Sequence, residues 1–157
     1  MSAALRTIDD QRHHWDGYYA QLREAHPDWP EATLHRAVNR FFAPTDQAAP
    51  PGHCTGGAVD VRLVDADGVL LDMISPFEGW HAAPTWKTGL SETARSNRET
   101  MVYAMIMAGF SNCCQEYWHY SYGDSAWAVR IGARECPYGL VRPPLIRAEE
   151  ARGSNAS

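Results

Sequence analysis

The chain has 157 residues, enough for one domain with a substantial core. Apolar residues make up 45% and include six Trp, which excludes a disordered chain. The formal charge of −5 argues against nucleic acid or an anionic membrane as partner, and no apolar run approaches the ~18 residues a bilayer crossing needs.

Met1 to Asp10 has no apolar stretch of signal-peptide type, so a cytoplasmic location is expected. Residues 8–26 are predicted helical, because Ile8, Trp15, Tyr18, Tyr19 and Leu22 recur at spacings of three, four and seven before Pro27. Asp28-Trp29-Pro30-Glu31 starts a second helix, with Pro near the first turn and an apolar stripe of Leu34, Ala37, Val38, Phe41 and Phe42. Residues 44–52 have neither helical nor strand period and form a stiff loop leading into His53. Val59, Val61 and Leu63 then alternate with Asp60 and Arg62, which predicts a half-buried strand. Asp65-Ala66-Asp67-Gly68 is a turn, and Val69 to Met73 is read as the returning strand of a hairpin.

Residues 74–90, rich in Trp, Pro and Gly, read as a packed loop rather than a lid. Ser91 to Ala108 is predicted to be a helix that buries Met101, Val102, Met105 and Ile106, with Gly109 just past its end. Residues 110–123 are aromatic and strand-like, and residues 125–140 are assigned a further strand. The stretch from Pro143 to Ser157 is polar and is expected to be a frayed tail, leaving 1–142 as a single domain. Cys54, Cys113, Cys114 and Cys136 do not form a disulfide framework or a CxxC pair, so all four are expected to be reduced. Cys54, beside His53, is the one thiol placed to join a metal or to oxidise.

The chemistry concentrates in two segments. Residues 53–60 read His-Cys-Thr-Gly-Gly-Ala-Val-Asp, and residues 116–119 read Glu-Tyr-Trp-His. They supply two imidazoles, a carboxylate that could complete a metal site, and a second carboxylate, Glu116, that could act as a base. Three protein ligands, an open fourth position and a free carboxylate nearby are the working part of a zinc hydrolase. Strand phase sends Val59, Val61 and Leu63 to the core and Asp60 to the opposite face. His53 must fold back to reach Asp60, and Gly56-Gly57 gives the backbone that freedom. Glu116 and His119, three apart, would face opposite ways in a regular strand, so a bulge, a strong twist or a strand end is required there. Taken singly, His-x6-Asp and Glu-x2-His are weak signals, and His13, His14, His26, His35 and His81 are read as ordinary surface or core residues.

In combination these residues resemble the VanX-type D-alanyl-D-alanine dipeptidases, zinc enzymes of the Hedgehog/DD-peptidase fold. The family pattern is Ser-x-His-x-x-Gly-x-Ala-x-Asp with a later Glu-x-Trp-His. His53, Gly56, Ala58 and Asp60 match the first part, and Glu116, Trp118 and His119 the second. Tyr120-Ser121-Tyr122-Gly123-Asp124 continues the likeness, which covers roughly residues 6–130. The resemblance implies an α+β fold in which a small central antiparallel sheet carries the site between flanking helices. It also implies one Zn2+ per chain held by His53, Asp60 and His119, with Glu116 as general base in hydrolysis of a small D-peptide, D-Ala-D-Ala. Alternatives are a D,D-carboxypeptidase acting on longer peptidoglycan stems, and a non-catalytic metal-binding homologue.

Two positions depart from the pattern. Pro51 stands where the family has Ser. The family's oxyanion-stabilising Arg, in an Asp-x-aromatic-Arg-Pro segment, is best matched by Arg6 in Ala-Leu-Arg-Thr, without the flanking residues. Only five residues precede Arg6, so an N-terminally short domain with an exposed sheet edge is expected.

Overall fold

A computed structural model describes residues 3–142. The stretch 143–157, expected to be a tail, lies outside the described residues.

Two helices open the chain. Helix α1 (Ile8–Ala25) begins where the Thr7 hydroxyl accepts the N–H of Asp10, with Asp9 and Asp10 placed against the positive end of the helix dipole. Helix α2 (Glu31–Asn39) follows Pro30 and buries Leu34 and Val38. The aromatic stripe of α1 holds the pair together. Trp15 and Tyr19 stack on each other and meet His35 edge-on, and Tyr18 meets Phe41 and Phe42. The only fully buried side chain of α1 is polar: Gln11 donates to the Ala43 carbonyl and so ties the helix to the chain beyond α2.

Strands β1 (Ala58–Asp60), β2 (Ser111–Cys113) and β3 (Glu116–Ser121) form one antiparallel sheet in the order β1-β3-β2. Between β1 and β2 runs helix α3 (Glu92–Met107), and helix α4 (Ser125–Ile131) follows β3. This is the expected α+β arrangement. Met73, Met101, Tyr117 and Tyr120 form the core cluster, and Val59, Val61 and Leu63 pack against it, so the valine face of the β1 segment points inward. No helix among the described residues is long and apolar enough to cross a membrane.

Four local expectations are corrected. First, residues 69–73 do not return as a strand: the hairpin is reduced to a single bridge between Val64 and Leu70. Those two residues and Val69 are more than half exposed, so no packed layer supports a longer ladder. Second, residues 125–140 begin with α4 rather than a strand. Asp124 caps the N–H of Trp127, and Gly132 closes the helix at φ 72°, which outweighs the strand preference of Trp127, Val129 and Ile131. Third, Ile106 is exposed; Met101 is buried and Val102 and Met105 pack against the core as expected, and the buried line of α3 continues back through Arg98 and Ala94. Its end is as expected: Gly109 at φ 90° lets Phe110 N–H reach the Met105 carbonyl and Gly109 N–H the Ile106 carbonyl. Fourth, the edge of β1 is not bare. Ala3 and Asp60 exchange both backbone hydrogen bonds, at 2.9 and 3.4 Å.

Residues 74–90 are tied to α3 by one side chain. Arg98, 1% exposed, donates to the carbonyls of Met73, Ala82, Pro84 and Thr85 and lies 4.0 Å above the Tyr117 ring.

Candidate metal centre

The β1–β3 register sets Asp60 directly opposite His119. Paired residues of an antiparallel ladder project to the same face, and Asp60 Oδ1 lies 3.1 Å from His119 Nδ1. His53 comes from a 3-10 turn, Gly52–Cys54, just before β1. Its Nε2 is 3.4 Å from Asp60 Oδ1, and its ring stands nearly perpendicular to that of His119.

The chain between His53 and Asp60 turns at Gly56, at φ 73°. Gly57 then lies tight against β3: a Cβ there would sit 2.7 Å from the Tyr122 carbonyl oxygen. We expect Gly57→Ala to lower stability by about 1–3 kcal/mol, the usual size of an overpacking clash. A urea melt checks this, and an unchanged midpoint would show that the ligand turn is looser than this contact requires.

Glu116 reaches the same place because the hairpin is irregular. Asn112 pairs with Tyr120, yet its neighbour Cys113 pairs with Glu116, so β3 advances four residues while β2 advances one. That slip cancels the strand alternation between Glu116 and His119, and Glu116 Oε2 stands 4.0 Å from His119 Nδ1.

One ligand atom from each of His53, Asp60 and His119 falls within 4.8 Å of the other two, and no other such group of His, Cys, Asp or Glu occurs among the described residues. Two imidazole nitrogens and a carboxylate oxygen are a donor set that suits zinc and leaves a coordination position open. The ring of His53 is set for this. Its Nδ1 is 2.8 Å from the Ala4 carbonyl, which can only accept, so the proton belongs on Nδ1 and Nε2 turns a lone pair to the centre.

Residues 11–135 match the family model described as D-Ala-D-Ala dipeptidase, peptidase M15. The chain belongs to this family. A D-alanyl-D-alanine dipeptidase from Synechocystis sp. is 28% identical over 132 residues, which cover 76% of this chain and 53% of the relative. The chain thus spans about half the length of the curated relative it matches. His53, Asp60, Glu116 and His119 all lie inside the family match, whereas Arg6 lies before it.

In this family member the charged groups of the centre act on one another. Burial alone would raise the Asp60 carboxyl, but hydrogen bonds from His119 and His53, and their charge, hold it well below the usual carboxylate range. Burial pulls His53 down, yet its hydrogen bond to Asp60, the Asp60 charge and the Ala4 carbonyl leave it raised. Burial pushes Glu116 up; His119 works against this, Asp60 reinforces it, and the net direction is upward. One carboxyl is therefore kept ionised and the other is moved towards neutrality.

Arg6 shares a cavity of about 350 Å³ with His53, Asp60, Glu116 and His119. Its N–H donates to the His53 carbonyl and its guanidinium to Gln11 Oε1 at 2.8 Å. Pro51 lines the cavity too, at the position where the family pattern has Ser. Cys54 is buried with its thiol towards the Thr7 carbonyl and stands outside the ligand set, and all four cysteines are free. His13, His14, His26, His35 and His81 are not in the ligand set either.

Sequence reasoning missed three contributors. The Ala4 carbonyl is backbone and leaves no trace in side-chain chemistry. Gln11 had a signal: a polar residue three after Ile8 and four before Trp15, on the stripe that packs inward. Arg98 had a similar one, sitting three before Met101 on the inner line of α3.

Proposed function

We propose that this chain is a zinc-dependent dipeptidase that hydrolyses D-Ala-D-Ala. The observation that carries the reading is the convergence of three ligand atoms within 4.8 Å beside a carboxylate that is not part of the set. His53 Nε2, Asp60 and His119 Nδ1 would hold the ion. When bound, zinc supplies Lewis acidity, polarising the peptide carbonyl and lowering the pKa of water.

The remaining steps fall to side chains. Glu116 takes a proton from the attacking water, and the hydroxide so formed adds to the peptide carbonyl carbon. Glu116 then passes that proton to the departing amine as the C–N bond breaks, releasing two D-Ala. Its raised pKa suits both halves of this exchange. Arg6, reaching into the same cavity, stabilises the oxyanion, and its bond to Gln11 holds it in place. Ala4 fixes the His53 tautomer. Phe41, Trp80 and Trp118 form apolar walls that exclude water from the reacting groups.

The test is release of D-Ala from D-Ala-D-Ala, followed before and after dialysis against a chelator and again after zinc is restored. Release that stops on chelation and returns with zinc supports the reading. Stoichiometric zinc with no turnover of any D-peptide would sink it and mark a non-catalytic metal-binding homologue. We expect Arg6→Ala to lower kcat by about 10²–10³, the usual effect of removing one oxyanion donor. An unchanged kcat would remove Arg6 from the mechanism and leave it the structural bond to Gln11.

A further inference from the structure

The metal cavity does not end at Glu116. It adjoins a second cavity of about 540 Å³, and Arg40, Phe41, Trp80, Gln115 and Glu116 line both. Arg36 lines the second cavity and not the metal cavity. Arg36 and Arg40 are one helical turn apart, on α2 and just past its end, so both face the same side.

Neither guanidinium has a hydrogen bond or an ion pair among the described residues. The one carboxylate of α2, Glu31, lies 3.7 Å from His35 and makes no ion pair with either arginine. Among the described residues Glu116 is the only acidic one lining the second cavity, and it also lines the metal cavity. Two unpaired cations beside the second cavity, Arg40 on the wall it shares with the metal centre and Arg36 beyond, make a local field opposite in sign to a chain of net charge −5. Phe41 and Trp80 meet edge to face at 4.7 Å and wall both cavities. A dipeptide at the metal centre would leave this second space unfilled.

We infer that Arg36 and Arg40 form a binding subsite for a carboxylate carried by a peptide longer than the dipeptide. This rests on the proposed function, because the second cavity matters only if a peptide is held at the metal centre. The planar fork of each guanidinium suits a carboxylate, and the exposure of both residues makes the contact sensitive to salt.

The experiment measures binding by Trp fluorescence in the Glu116→Gln protein, which keeps the peptide uncut. The probes are two matched pairs: D-Glu-D-Ala-D-Ala against D-Gln-D-Ala-D-Ala, and D-Ala-D-Ala-D-Glu against D-Ala-D-Ala-D-Gln. In at least one pair the acidic peptide should bind about tenfold more tightly at low salt, as expected for one charge-assisted contact. The preference should vanish when Arg36→Gln and Arg40→Gln are added. Equal binding within both pairs, or a preference that survives the double substitution, would overturn the inference. Hydrolysis of D-Ala-D-Ala by the unsubstituted protein is assayed alongside. Acidic preference without any hydrolysis would refute the dipeptidase reading and leave the subsite standing. Hydrolysis without acidic preference would do the reverse.

Discussion

Glu116→Gln is expected to lower kcat for D-Ala-D-Ala by about 10²–10⁴ while the bound metal stays at one per chain. The substitution keeps the volume of the side chain and its place at the start of β3, and it removes only the basic oxygen. The three atoms placed to ligate a metal come from His53, Asp60 and His119, and Glu116 Oε2 stands 4.0 Å from His119 Nδ1. Metal content measured by elemental analysis should therefore match the unsubstituted protein. Asp60→Asn should do the opposite, since Asp60 Oδ1 is the atom both imidazoles approach and an amide binds zinc poorly. Metal lost from the Glu116→Gln protein would move Glu116 into the ligand set and leave the base unassigned.

The same pair of substitutions shows which parts of the site could be read from the sequence. Asp60 was legible because strand alternation is a local rule: with Val59 and Val61 inward, Asp60 has to point the other way. The need for an irregular β3 was legible too, from the odd spacing of Glu116 and His119. Which irregularity answers it was not, because the slip at Asn112–Cys113 depends on the partner strand, and a single segment carries no register information. The returning strand expected at 69–73 and the strand wrongly assigned to 125–140 have one cause. Val69, Leu70, Val129 and Ile131 have strand propensity, but that preference acts only where a layer covers the residues, and all four are exposed. In α4 a capping aspartate and a left-handed glycine decided the matter instead. The edge of β1 was expected to be open, yet residues 3–6 run beside it: Ala3 pairs with Asp60, Ala4 orients His53, and Arg6 bonds the His53 carbonyl. Pairing of so short a segment has no periodic signature.

The largest stability effect is expected at a residue with no part in the chemistry. Arg98→Met should cost about 3–5 kcal/mol, because it strips the donors from four main-chain carbonyls in one stroke. Burial lowers the Arg98 pKa, and the guanidinium remains a cation compensated by those carbonyls and by the face of Tyr117. Methionine would fill much of the space and stack on Tyr117, but it donates nothing. For a domain of this size the loss corresponds to a fall in Tm of roughly 6–20 °C. Arg98→Lys should recover only a small part, since one ammonium cannot reach carbonyls spread from Met73 to Thr85. A fall of less than about 1 kcal/mol in either variant would mean that water takes over the carbonyls at little cost. The effect should also reach the metal centre. Ala82 and Pro84 bracket Ala83, whose carbonyl accepts the N–H of Tyr117 in β3, one residue beyond Glu116. Trp80, on the same loop, walls the metal cavity and meets Trp118 edge to face. With the loop released, KM for the dipeptide should rise even at temperatures where the protein stays folded. A variant that loses Tm but keeps KM would show that the loop is held at Trp80 by its own packing and not through Arg98.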